Sequence, residues 1–225
     1  MMKRMLSTAT GLLLALSLCV TALAGILWVL GTVPGVMLPM MLHFAPSERT
    51  GLPDAEYPAM VRMITGYLAG DVQEFQFTYT EHDATCTAFQ PHEQQHMEDC
   101  RALFRLDRTV LIVAGLVSAA LIVAAALRRN RRVWCWTTIG LASIEVAVVL
   151  VAAAAVIDFD RLFILFHRLS FSNDLWLLDP RTDLLIRLMP TRFFMTYAAI
   201  LGVSWLALIT LMQLGALILY KRGKQ

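Results

Sequence analysis

Four apolar runs, at approximately 8–33, 109–127, 133–157 and 194–220, are each near the roughly 20 residues that a helix needs to cross a bilayer. A chain with four such runs cannot fold as a soluble domain. With 58% hydrophobic residues and a mean hydropathy of +0.62, the 225-residue sequence is expected to be an all-α integral membrane protein. Its formal net charge is only +2, but the charge is unevenly placed. Lys3 and Arg4, then Arg128, Arg129, Arg131 and Arg132, then Lys221, Arg222 and Lys224 form three clusters that contain no acid. Basic residues collect on the cytoplasmic side, so both termini and the turn at 128–132 are expected inside. Segments 34–108 and 158–193 then lie outside, with ten basic residues against sixteen acidic ones, six net negative charges. That balance argues against nucleic acid as a partner.

The expected layout is therefore a first transmembrane helix within 1–33, an extracellular cap at 34–108, a second span at 109–127 and a third at 133–157. An interfacial segment at 158–193 and a fourth span with its tail at 194–225 complete it. The N-terminal charges before an apolar run resemble a secretory signal, with Ala22-Leu23-Ala24 as a small-residue cleavage site. The run continues through Trp28 to Leu30, beyond the roughly 7–15 residues of a signal core, so a retained span is expected. Pro34 and Pro39 are expected to end it.

Within the cap, Asp54 is placed to N-cap a helix reaching about Leu68, with Tyr57, Met60, Val61, Ile64 and Leu68 at helical spacing. Phe75, Phe77 and Tyr79 alternate, as do Thr85, Thr87 and Phe89, so a short β-hairpin turning at Glu81-His82-Asp83-Ala84 is predicted. Pro91 suits a first helical position, and the helix it opens is expected to run straight into the second span. The third span carries Glu145 about halfway across. A charge there would cost at least ~2.5 kcal/mol, so a hydrogen-bond partner is expected among Ser17, Ser118 and Thr210, at comparable depths.

The stretch Phe166 to Pro180 alternates polar groups with large aromatics, and it is the densest candidate for chemistry outside the spans. Before it, Phe159, Leu162, Phe163, Phe166 and Leu169 share one helical face, as in a helix lying in the membrane interface. After it, Asp179-Pro180 is placed to cap a short helix ended by Pro190.

Two further motifs compete for attention. His92-Glu93-Gln94-Gln95-His96 has the H-E-x-x-H spacing of zinc proteases, but Met97-Glu98-Asp99 is too acidic a continuation and no glycine-histidine extension supplies a third ligand. No metal is assigned. Cys86 and Cys100 both lie in the outer segment, where a disulfide between them would persist. Cys100 also follows His96 by four residues, the spacing of a Cys–His nucleophile pair.

The pattern Glu93-x-x-His96-Met97-x-Asp99, followed by Phe163-x-x-Phe166-His167-x-x-x-Phe171-x-Asn173-Asp174-x-Trp176-x-Leu178-Asp179-Pro180-x-x-Asp183-x-Leu185-Ile186-x-x-x-Pro190, resembles the bacterial lipoprotein intramolecular transacylase family. The likeness extends to the four-span layout, with Cys100 standing where the family usually has valine. The resemblance implies acyl transfer within one diacylglyceryl lipoprotein, from the sn-2 position to the α-amine of the N-terminal cysteine, with membrane lipid around it and no cofactor. It implies His96 and His167 as the catalytic pair. Glu93 or Asp99 is expected to orient an imidazole, and Asn173, Trp176 or a nearby arginine to donate to an oxyanion. Phe166, Phe171 and Asp174 are expected to support the substrate. A zinc-dependent hydrolase and a non-catalytic membrane protein binding a partner through its cap are the alternatives.

Overall fold

The computed structural model describes residues 1–81 and 84–222; His82 and Asp83 of the predicted hairpin turn, and Lys224 of the last basic cluster, lie outside them. Four helices are long and apolar enough to cross a membrane: α1 (Met2–Thr32), α5 (Pro91–Leu127), α6 (Arg131–Ile157) and α9 (Thr191–Arg222). The other elements are α2 (Pro34–Phe44), α3 (Ser47–Thr50), a 3-10 turn (Asp54–Glu56), α4 (Tyr57–Ala69), β1 (Thr78–Glu81), β2 (Ala84–Thr87), α7 (Phe159–Ser170) and α8 (Leu184–Leu188). The chain divides into two compact units.

The first unit comprises Met1–Leu27, Arg108–Ile157 and the chain from Ala199 onward, so it is built from parts of the four long helices. Outward residues such as Leu116, Val123, Leu150 and Val203 are exposed, as expected where lipid rather than water is the solvent. Burial of apolar surface contributes little between helices in lipid, so close packing and polar contacts hold them together. Gly140 meets Ala15 so closely that an added Cβ would lie 2.7 Å from the alanine's Cβ. Thr137 Oγ1 donates to Gly11 O (3.2 Å) and Trp205 Nε1 to Cys19 O (2.9 Å). Glu145 accepts from Thr210 Oγ1 at 2.7 Å, as expected, whereas Ser118 donates instead to Ser17 (2.9 Å).

The second unit, Trp28–Asp107 with Asp158–Ala198, has a conventional apolar core. Met37 and Met41 of α2, Tyr57, Met60, Val61 and Ile64 of α4, Met97 of α5 and Leu184, Leu185 and Leu188 of α8 are all buried in it. The five-residue α8 could not persist alone. Its three buried leucines supply about 1.5–3 kcal/mol each and hold it to the core. Three local expectations need correcting. Pro34 begins a second helix rather than only ending the first, and α2 continues through Pro39 because Met37 and Met41, one turn apart, are anchored in the core. Asp54 opens a 3-10 turn without a side-chain cap, and α4 starts at Tyr57. Asp179 serves a turn, accepting from the Arg181 N–H (2.9 Å), and α8 starts only after Asp183. The hairpin is present, pairing Thr78 with Thr87 and Glu81 with Ala84, shorter than the aromatic alternation suggested.

Candidate functional site

The second unit holds the residues singled out by the sequence. Helix α5 starts with Pro91 following Gln90, and Glu93, two residues further on, reaches back to accept the Gln90 N–H at 2.7 Å, one half of a capping box. Its other oxygen accepts the Leu185 N–H, also at 2.7 Å, which ties the start of α5 to α8. Glu93 is fully buried; burial pushes its carboxyl up, and the two N–H donors pull it back. His96 follows one turn later. Helix α7 is capped by Asp158, which accepts from the Arg161 N–H (3.1 Å). Its apolar residues divide between two surroundings: Phe163 is half-buried, while Leu165, Phe166 and Leu169 are exposed.

His167 faces inward from α7 and is 8% exposed, against 7% for His96. The two rings lie nearly parallel, 6.3 Å apart and inclined by 30°. Aromatic side chains surround them: Phe163 (4.1 Å), Trp176 (5.0 Å), Phe166 (5.2 Å) and Phe171 (5.6 Å) around His167, with Phe171 also 5.1 Å from His96. His167 Nδ1 lies 2.8 Å from the Phe163 carbonyl oxygen. A carbonyl only accepts, so Nδ1 carries the proton and Nε2 presents a lone pair. Burial depresses the His167 pKa against the opposing effect of that bond. Burial, then the neighbouring His167, bring His96 down to about 4 despite Asp99. Both imidazoles are neutral at pH 7.

Asn173 links the second motif to α5. Its Nδ2 donates to Asp99 Oδ2 (2.9 Å), its Oδ1 accepts the Leu175 N–H (3.1 Å), and its carbonyl accepts Trp176 Nε1 (3.0 Å). The single N–H of Trp176 is thereby committed to the main chain rather than open to an oxyanion. Glu93 and Asp99 do not bond an imidazole directly, contrary to expectation; each fixes the element that carries one. Asp174 is exposed, and its carbonyl accepts the Leu177 N–H.

The H-E-x-x-H residues diverge. His92 Nε2 contacts Asp183 Oδ2 at 3.0 Å, Glu93 is occupied by main-chain donors, and His96 faces His167. Among the described residues no three His, Cys, Asp or Glu side chains converge as metal ligands. Nor are Cys86 and Cys100 joined: both are free thiols. Cys86 sits on β2 opposite Tyr79, while Cys100 packs on the core with its Sγ 3.6 Å from His96 Nε2. Spacing alone could not show that Cys100 turns toward the histidine. Sequence reasoning also misses the Phe163 carbonyl and Asp183 as partners of the site. A main-chain carbonyl carries no side-chain signal, and Asp183, although part of the quoted motif, carries no sign that His92 is its partner.

Four helices long and apolar enough to cross a membrane define a multi-pass membrane protein, and its second unit buries a pair of facing histidines. Residues 12–194 match the family model described as lipoprotein intramolecular transacylase Lit. The chain belongs to the lipoprotein intramolecular transacylase family. Among solved structures, it is similar to the membrane-integral lipoprotein intramolecular transacylase Lit from Bacillus cereus, with a TM-score of 0.76 and 21% identity over 97% of this chain and 98% of that one. Two structures of the same protein with one histidine replaced, by arginine or by alanine, give TM-scores of 0.73 and 0.66, each at 19% identity. The arginine form is matched over 99% of this chain and 96% of its own, the alanine form over 98% and 94%. Comparison with curated proteins finds no match.

Proposed function

We propose that the enzyme moves the sn-2 acyl chain of a diacylglyceryl lipoprotein to the α-amine of its N-terminal cysteine. The observation that carries the mechanism is the bond from His167 Nδ1 to the Phe163 carbonyl, which leaves Nε2 as an acceptor opposite a second neutral imidazole. The amine nitrogen attacks the ester carbonyl while His167 Nε2 removes its proton. The tetrahedral intermediate collapses, the carbon–oxygen bond to glycerol breaks, and the leaving oxygen takes up a proton. Ester and amine become amide and alcohol, so no cofactor or oxidant enters the balance. Donor and acceptor share one molecule, and the enzyme's main contribution is to hold them in a reactive ring. A free amine with a pKa near 8 needs a neutral base close to it, and the depressed histidines supply one at pH 7.

The sidedness follows from the basic clusters: both termini and the turn at 128–132 are cytoplasmic, and the histidine pair lies at the outer face. The exposed Leu165, Phe166 and Leu169 of α7 then meet the membrane interface. Maleimide labelling of single cysteines introduced at Ser47 and Asn130 should find the first outside and the second inside. An outward Asn130 would reject this orientation. A zinc-hydrolase reading is disfavoured because His92 and Glu93 are both engaged elsewhere.

N-terminal mass spectrometry of lipoproteins made with each variant tests the reaction. His96→Ala and His167→Ala should each nearly abolish the transferred product, because an acid–base step is worth about 10²–10⁴-fold. The losses should not multiply. His92→Ala should retain most transfer. Full transfer by folded His167→Ala would refute the mechanism.

A further inference from the structure

The thiol of Cys100 lies one helical turn beyond His96, with Sγ 3.6 Å from His96 Nε2. Either atom can formally donate, but the chemistry distinguishes the two arrangements. An imidazole lone pair is a good acceptor, whereas thiol sulfur is a poor one. Burial, followed by the nearby Asp99, pushes the Cys100 thiol up to about 12, so sulfur keeps its hydrogen. His96 is neutral and carries one hydrogen of its own. A bond from S–H to Nε2 places that hydrogen on Nδ1. This nitrogen is buried and has no hydrogen-bond partner in the protein, which leaves a donor for a substrate oxygen to satisfy. His167 is the opposite case: the Phe163 carbonyl holds the hydrogen on Nδ1 and leaves Nε2 bare.

We infer that Cys100 is a positioning residue that holds His96 in the Nδ1–H tautomer, so that His96 meets the substrate as hydrogen-bond donor while His167 meets it as acceptor. The tautomer assignment stands on the Cys100–His96 contact and does not depend on the acyl-transfer reading. Its catalytic consequence rests on the acyl-transfer reading above: the Nδ1–H of His96 stabilises the oxyanion, while His167 Nε2 receives the proton of the amine and returns it to the departing glyceryl oxygen.

The test separates the two. Full-length protein labelled with ¹³C and ¹⁵N at histidine, in lipid nanodiscs, reports each ring's tautomer through its Cγ and Cδ2 shifts, with His96 assigned by loss of its signals in His96→Asn. The expected wild-type signature at His96 is Nδ1–H. Cys100→Val removes the donor and should move the ring toward Nε2–H, whereas Cys100→Ser, which keeps a hydroxyl donor, should restore Nδ1–H. In the transfer assay Cys100→Val should lower kcat about tenfold with KM little changed, short of the roughly 10²–10⁴-fold carried by a whole acid–base step, and Cys100→Ser should recover most of it. An Nε2–H signature in the wild type would overturn the inference. So would an unchanged tautomer in Cys100→Val, whatever its kcat. A wild-type protein with the expected tautomer but no lipoprotein transfer would refute the proposed reaction and leave the Cys100–His96 pairing intact.

Discussion

Replacing Glu93 by alanine should destabilise the protein more than removing either histidine. The side chain is fully buried, and its two oxygens accept main-chain N–H groups from Gln90 and Leu185, each at 2.7 Å. Alanine leaves both donors buried without a partner, at about 1–3 kcal/mol each, so a loss of about 4 kcal/mol is expected. Glutamine keeps one good acceptor but turns its NH₂ toward the other N–H, and about half that loss is expected. The assay is thermal unfolding in detergent, followed by a fluorogenic maleimide reacting with thiols as the fold opens. The midpoint should fall in the order wild type, Glu93→Gln, Glu93→Ala. Because the Leu185 bond ties the start of the five-residue α8 to α5, protection of the 184–188 amides from hydrogen exchange should be lost first. An alanine variant as stable as wild type, with those amides still protected, would refute the claim that Glu93 joins α5 to α8.

Acid should weaken the fold through the histidines. His96 and His167 have folded pKa values below the ordinary 6.5, so the stability they contribute is fully present above 6.5 and is lost as pH falls through the folded values, about 4 for His96. For His96 the loss is on the order of 3 kcal/mol. Glu93 acts with the opposite sign, its raised pKa adding stability at low pH that is lost as pH rises through the folded value. Comparing denaturant midpoints at pH 7 and pH 4 in wild type and His96→Asn cancels the Glu93 contribution; equal losses in both would reject the assignment. In the membrane helices, Gly140→Leu should disrupt packing, because even a Cβ would sit 2.7 Å from that of Ala15. A variant that unfolds at the wild-type temperature would show that the helices part there freely.

The spans, the continuous α5 and the Glu145–Thr210 bond were legible because bilayer thickness and the cost of a buried charge constrain sequence strongly. The histidine pair was legible only through the motif that resembles a family, since no periodicity brings position 96 to position 167. Boundaries set by tertiary burial were not legible. Nothing local tells Pro39 that two methionines will carry its helix onward, or tells Asp179 that α8 will begin only after Asp183, four residues later. The H-E-x-x-H spacing misled for a related reason. Spacing places side chains on a face but does not say which partners compete for them, and here Asp183 engages His92 while two main-chain donors engage Glu93.

Those competing partners also explain how a site made of so few groups stays ordered. Neither histidine is held by a carboxylate, which would raise its pKa and charge it near neutrality. His167 is held instead by a carbonyl and a ring of aromatics, and His96 by a thiol. The carboxylates Glu93 and Asp99 are one position removed, fixing α8 and the Asn173 turn against α5. Burial, with no carboxylate bonded to either ring, keeps both neutral. That suits the proposed transfer, in which the nucleophile is itself an amine: a cationic imidazole would repel the ammonium form of such a substrate and could not accept its proton.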